Sequence, residues 1–600
     1  MMTLHDALNS KTVDELKKLL PFVPEEQGAS NKAGLVGRIT NGLIGDQGEN
    51  LKRQYAQLDK CQQLAVAEAL YDPEGEFFPD EFYAKYQESP AFAVIPDNQE
   101  SYSYRYSRLP TRLCLFLFGN QLCLPADLLP LLKEFVAKPP PVRLFSQAQL
   151  PEPDKREEGL QIRLCEQEVL TDLPTIINMM QQGKLKASAK TGRASAATLK
   201  VLSQSLNGGE FYDLERPKKY SWSQEIGGIK TFAWPLLLQS AKLAQVNGSK
   251  LELSRSGVKQ LTNPTPETIC LIWKKWQKNT LLDEFNRVDE IKGQKSKGRV
   301  MTATAPRRLM VTTALEACPV GEWVEIDNFF NFMQAARLNF EVTHNPWKLY
   351  LIDSEYGSLG YDGFHDWSML QGRYVLCVLF EYAATLGMID VAYIDPEDAR
   401  DDYRGNWGTD DLDFLSRYDG MCYFRLTALG AYCLGLTDEY VAPVNVSDCR
   451  FAIFPSLHIN ITDGEPSAED TLTLNTWATQ EADNSWKLDK AKSILAIESG
   501  NDIATLDSFL KSKDDQPLPE AVEGFIATCQ KQGNAMKQVA VALVIECSSD
   551  EIADMLADHK ETKKLCQRLG KKQLVVKQSQ LEKFQQAARI VGFGITAGIP

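Results

Sequence analysis

The chain has 600 residues, of which 44 % are hydrophobic and 24 % charged. That is the composition of a globular protein of about four domains. Its net charge of −15 excludes a uniformly basic nucleic-acid binder. No apolar run reaches bilayer length, and the N-terminus has no secretory pattern. Thirteen cysteines form no CxxC pair and there are only five histidines. This reads as reduced thiols of a cytoplasmic protein and excludes a cysteine-rich metal centre.

Residues 1–90 are expected to be helical. VDELKKLL and NKAGLVGRITNGLIG place Leu35, Ile39 and Leu43 at helical spacing. Two short helices with a Lys-x-x-Leu-x-x-x-Ile pattern over residues 8–45 resemble the SAP motif, a small DNA-binding helical hairpin. The resemblance implies phosphate contacts from Lys32 and Arg38. A plain helical packing module fits the same residues. Residues 91–160 are read as a small mixed region and a linker. RLCLFLFGNQLC is a strand or a buried helix, and KPPP and PEPDKREEG prevent helix.

The informative charge is local. Residues 181–310 carry about 23 Lys/Arg against about 10 Asp/Glu, roughly +13, leaving about −28 elsewhere. At its start, GKLKASAKTGRASAATLK (residues 183–200) reads as a basic turn feeding a helix capped by Thr191 or Ser195. Lys184, Lys186, Lys190, Arg193 and Lys200 crowd that helix start, where bare N–H groups already favour anions. A second basic stretch, IKGQKSKGRVMTATAPRR (residues 291–308), offers Lys292, Lys295, Lys297, Arg299, Arg307 and Arg308 as a phosphate clamp. It follows an amphipathic helix whose core is read as Trp273, Trp276 and Leu281.

A repeat surrounds these stretches. LELSRSGVKQL (251–261) and FRLTALGAYCL (424–434) share apolar-x-Leu-[Ser/Thr]-x-x-Gly-x-x-x-Leu: a strand end, a hydroxyl cap and a glycine in the first helical turn. A helix and a β run precede each copy, and Asn247-Gly248 marks a hairpin in the first. Helix, hairpin and capped helix form the tail half of a winged helix. Its pre-hairpin helix would read a DNA groove and its hairpin would be the wing. The copies are expected at residues 161–262 and 311–443, joined by a basic helical connector at 263–310. The second has an expanded, acidic tip over residues 395–420, suited to a protein contact or to solvent.

Residues 444–600 read as α+β. SLHINIT, AVALVIEC and LVVK are strands, the last two followed by helices capped at Ser549 or Asp550 and at Ser579. Two further helices are expected between residues 487 and 526, the second starting at Pro519. Residues 497–510 with Gly500, Leu518-Pro519, VIECSSDEIADML and LVVKQSQLEKFQQAARIVGF resemble the N-terminal domain of XPB-type DNA-repair helicases. The resemblance implies contact with DNA or with a helicase, not catalysis. The GxxxxGK[ST] phosphate loop of the helicases is missing, so any motor is a separate subunit.

Other chemistry is thin. Asp395, Glu397, Asp398, Asp401 and Asp402 lack the spacing of a calcium loop. His365-Asp366 lacks supporting histidines, and Cys547 reads as a buried small hydrophobe. The expectation is a mixed, mostly α, multidomain chain with tandem winged helices and a C-terminal α+β domain. Its expected function is that of a non-enzymatic DNA-binding adaptor, without cofactor or metal and without membrane contact. It would hold double-stranded DNA by its phosphates and work beside a separate helicase or nuclease in phage defence or repair. A protein–protein scaffold and a cryptic metal-dependent nuclease are the alternatives.

Overall fold

The computed structural model describes residues 2–596 except 25–28, 96–107, 154–156, 158, 182, 215–223, 261–264, 289, 295–299, 361–366, 442–448, 465, 467, 483, 499, 515 and 537–539. Helix takes 45 % of the chain and strand 14 %. The strands fall into small antiparallel sheets, so helix packing carries most of the cores. The chain divides into two compact units, Met1–Asn445 and Val446–Pro600.

The first unit opens with capped helices. Thr3, Thr12 and Asp59 each close a capping box at the start of Leu4–Asn9, Val13–Leu19 and Lys60–Tyr71, satisfying backbone donors that a helix end leaves bare. Lys32–Ile44 buries Leu35, Val36, Ile39 and Leu43. The run after Arg112 is neither strand nor long helix. It is a 3₁₀ turn, Arg112–Leu115, followed by Phe116, Leu117 and Phe118, all three buried. Consecutive burial is compatible with an enclosed strand or an enclosed helix as well, so periodicity alone does not distinguish them. One core runs from Leu4 to Val136, so residues on both sides of position 90 pack together.

A second core spans Cys165 to Cys433 and contains the repeat. Each copy runs helix, short strand, helix, helix, hairpin, capped helix. The first uses Cys165–Gln181, a bridging strand at Lys186, Ala196–Ser205, Lys230–Ser240, the hairpin Ala244–Asn247 and Lys250–Leu253, and Arg255–Gln260. The second uses Thr304–Glu316, Trp323–Glu325, Ile326–Ala335, a rod of Ser368–Gly372, Arg373–Cys377 and Val378–Ala383, the strands Ile389–Tyr393 and Met421–Leu426, and Ala428–Leu434. In both, the short first strand pairs with the second hairpin strand: Leu251 N–H donates to Leu185 O at 3.0 Å, and Trp323 opposes Arg425. Gln161–Arg163, just before the first copy, pairs with Ile389–Tyr393 of the second, interlocking the two.

The repeat extends to individual atoms. The Ser254 and Thr427 hydroxyls accept from the N–H of Gly257 and Gly430 at 3.0 and 2.9 Å, and donate to Lys242 O and Gly387 O at 2.6 and 2.8 Å. The Ser254 and Thr427 N–H groups donate to Leu243 O and Met388 O. Lys242 and Gly387 both adopt positive φ, +60° and +66°.

The second hairpin's long tip is not an acidic arm standing in solvent. Tyr403, Leu415 and Tyr418 are fully buried. The wholly buried Arg373 pairs with Asp402 and, at 3.0 Å, with Asp419. Asp398, Asp401, Asp410 and Asp411 stay exposed. The tip therefore folds back as part of the core.

In the second unit, strands in the order Ala478–Ala482, Ser485–Leu488, His458–Asp463, Arg450–Ile453 form one sheet. Ala542–Glu546, Gln573–Lys577 and Cys566–Arg568 form another. Residues 487–533 hold three helices rather than two, because Gly500 at φ +98° separates Lys490–Glu498 from Ile503–Lys513 before Glu520–Gly533 begins after Pro519. Ser549 caps Asp550–Asp558 as expected. Ser579 caps nothing; it lies inside the 3₁₀ turn Gln578–Gln580, and Leu581–Val591 follows.

Candidate nucleic-acid interface

The basic turn is built as a small three-stranded edge. Alternation along its strand buries Leu185 and Ala187 and turns Lys184 and Lys186 outward. Lys186 bridges Lys250 of the hairpin, and Ala187 bridges Ala194. Between them the chain turns back on Ser188 N–H to Arg193 O and Gly192 N–H to Ser188 O, both 2.8 Å. Gly192 sits at φ +68°, a conformation that costs glycine little. Ser195, not Thr191, caps the following helix by accepting from Thr198 N–H. The Thr198 hydroxyl accepts from Lys186 N–H at 2.7 Å and donates to Lys186 O at 2.8 Å, so the helix start fixes the strand that carries Lys186.

Lys184, Lys186, Lys190, Arg193 and Lys250 are exposed, and among the described residues none has a carboxylate partner. Arg193 lies over the Phe232 ring at 5.8 Å. Lys200 is exposed near the middle of its helix and has contacts of its own. The one carboxylate on this face of the hairpin, Glu252, accepts from Asn247 Nδ2 at 2.8 Å. Lys250 was not among the cations expected from sequence. Its place after Asn247-Gly248 was legible, but its bridge to Lys186 was not.

Two expectations are corrected. The first concerns the pre-hairpin helix Lys230–Ser240, whose residues are all buried except the half-buried Phe232 and Gln239. The basic turn covers these two, through Gln239 Nε2 donating to Gly192 O at 2.7 Å and Arg193 over Phe232. A helix so enclosed cannot enter a major groove. Its Lys230 is buried between Glu168 and Asp172 at 2.7 and 2.8 Å. The corresponding rod of the second copy is buried from Arg373 to Ala383.

The second correction concerns Arg307 and Arg308, each 1 % exposed. Arg307 makes a two-pronged pair with Asp283 at 2.9 and 2.5 Å and stacks on Tyr374 at 4.7 Å. Arg308 holds Glu284 and the carbonyls of Trp276, Asn279 and Leu282. Glu284 is fully buried and also accepts from Tyr374 OH at 2.9 Å. Burial pushes its carboxyl upward against the pull of Arg308. These arginines hold the connector to the core. Lys292 is exposed and pairs with Glu290 at 3.3 Å. Lys295, Lys297 and Arg299 lie outside the described residues, as does His365-Asp366. Trp273 and Trp276 are buried and stack at 4.8 Å, whereas Leu281 is 45 % exposed. The basic middle of the chain is thus not one continuous strip: Lys230, Arg287, Arg307 and Arg308 are buried against the molecule's own carboxylates.

In the N-terminal helices Lys32 is exposed, while Arg38 is half-buried with its Nε enclosed. Among the described residues no group of three or more His, Cys, Asp or Glu could hold a metal ion, and no helix is long and apolar enough to cross a membrane. No protein-family model matches the chain, and no curated protein matches it.

Proposed function

We propose that the chain is a non-catalytic DNA-binding adaptor, two winged helices followed by an α+β domain of the helicase-associated kind, working with a separate helicase or nuclease. The observation that carries this is the group of five exposed, unneutralised cations on the first hairpin and its basic turn. Ammonium and guanidinium groups on a rigid edge bind phosphates, and phosphate contacts position a protein without reading sequence. The contact is therefore made by the wing and the turn rather than by a helix in the major groove. Double-stranded DNA is the expected ligand, in phage defence or DNA repair.

Electrophoretic shift of the purified protein on duplex DNA at stepped salt concentrations tests this. Affinity should fall log-linearly with salt, with a slope set by the phosphates engaged. Absence of a shift at low salt overturns the reading.

A second reading is favoured by the enclosed pre-hairpin helices of both copies. Winged helices without a free reading helix suit a protein scaffold whose basic turn meets an acidic partner. The same gels separate the two, since a scaffold leaves duplex DNA unshifted.

A further inference from the structure

The strongest feature left over is a cavity of about 720 Å³ between residues 286, 288 and 291–294 on one side and 347–354 on the other. One wall is an excursion between the Ile326–Ala335 helix and the second pre-hairpin rod. There Asn345 Oδ1 accepts from Trp347 N–H at 3.1 Å and opens the 3₁₀ turn Pro346–Lys348. The Trp347 indole packs against Gly360, where a Cβ would fall 2.2 Å from a ring carbon. Trp347 as a residue is nevertheless 56 % exposed. The opposite wall is pinned by the backbone pair Lys292 N–H to Tyr350 O and Tyr350 N–H to Lys292 O, at 2.8 and 3.3 Å. Gly293, at φ +88°, passes so close to Lys348 O that a Cβ would meet it at 1.9 Å. Trp347, Tyr350, Lys292, Lys348 and Asn286 line the space.

Flat aromatic walls, two ammonium groups and an amide suit a planar base carrying phosphate. The volume is that of a small-ligand pocket. Exposed aromatic rings beside lysines are how proteins hold unpaired bases irrespective of sequence. The Lys292–Glu290 pair is partly exposed, the setting in which an ion pair contributes least. We propose that this cavity takes one nucleotide unit of a single-stranded nucleic acid, its base against Trp347 and its flanking phosphates on Lys292 and Lys348. The proposal rests on the reading of the chain as a DNA-binding protein, and adds a single-strand site separate from the hairpin's duplex-facing cations.

The test is fluorescence anisotropy of the full chain with labelled oligothymidine and, separately, a labelled duplex. Trp347→Ala should weaken oligothymidine binding roughly 5- to 150-fold, the span of one lost base stack, and leave duplex binding unchanged. Trp347→Phe should recover part of the loss, and Lys348→Glu should weaken the same ligand without removing the ring. Oligothymidine binding equal in parent and Trp347→Ala overturns the pocket. A free mononucleotide that competes as well as the oligomer overturns the strand as its source. Duplex binding that Lys186→Glu with Lys250→Glu leaves untouched counts against the hairpin interface alone, so the two readings fail separately.

Discussion

Lys186 and Lys250 oppose one another across an antiparallel bridge, both exposed and neither with a carboxylate partner among the described residues. Like charges directly opposite on a sheet repel. An anion seated between them removes that repulsion, which gives the bridge a reason to attract phosphate. Lys186→Glu with Lys250→Glu should lower duplex affinity and shrink the slope of log affinity against log salt by about two phosphate contacts, roughly 1.8 units. Salt-titrated binding isotherms of parent and variant measure it. Parallel slopes would remove these lysines from the interface.

Arg308 is expected to govern folding rather than binding. Removing one partner of a buried pair strands the other charge, at about 3–5 kcal/mol. Glu284 has no exposure through which water could replace the guanidinium. Arg308→Ala should therefore unfold at markedly lower denaturant, whereas Arg308→Ala with Glu284→Gln should regain much of the loss. Denaturant titration compares them. An Arg308→Ala protein of parental stability with weakened DNA binding would return the residue to the phosphate contacts.

What the sequence revealed and what it hid divide along range. The first hairpin, the Ser195 cap and the Ser254/Thr427 repeat are encoded within a few neighbouring residues, although the hairpin's two-residue tip is Gly248-Ser249, with Asn247 paired to Lys250, rather than Asn247-Gly248. The pairing of Arg307-Arg308 with Asp283-Glu284 spans 24 residues of chain. Nothing in a run of cations shows that carboxylates will fold onto it. The burial of Lys230–Ser240 was legible in principle. TFAWPLLL is apolar on every face, the mark of an enclosed helix. Residues 395–420 misled for the opposite reason. Their acidic side chains are conspicuous, while the residues that fold them inward, Tyr403, Leu415 and Tyr418, are scattered among them.

Gly257 and Gly430 occupy the same place in the two copies. A Cβ on Gly257 would lie 2.1 Å from Leu243 O, and one on Gly430 would lie 2.0 Å from Met388 O. Both obstacles are backbone atoms that anchor the following Ser254 and Thr427, so neither can yield cheaply. Alanine at either position should destabilise by about 1–3 kcal/mol through overpacking. Thermal melts of the two single variants should show losses of similar size. A silent Gly430→Ala would mean that the close approach of helix to hairpin is not needed for the fold.

Glu166 gives the fold a pH dependence of defined sign. It is 5 % exposed and accepts from Leu429 N–H at 2.8 Å. Burial raises its carboxyl to about 7, opposed by that hydrogen bond, with Asp390 adding to the rise and Arg425 pulling against it. A carboxyl that holds its proton more tightly folded than unfolded contributes most when both states are protonated. That contribution is lost as pH climbs from the unfolded value near 4.5 to the folded value near 7, and it levels off above. Stability of the parent should therefore fall between about pH 5 and pH 7, by at most about 1.4 kcal/mol per pH unit from this group. Asp172, Asp390 and Asp419, also raised by burial, add falls of the same sign as pH rises. Glu166→Gln keeps an acceptor for Leu429 and removes the titration, so the difference between the two proteins isolates this carboxyl. Denaturant midpoints measured from pH 5 to pH 8 should converge for parent and variant at the acid end and separate above pH 6, with the glutamine protein the more stable. Parallel curves would place the Glu166 proton outside the folding equilibrium.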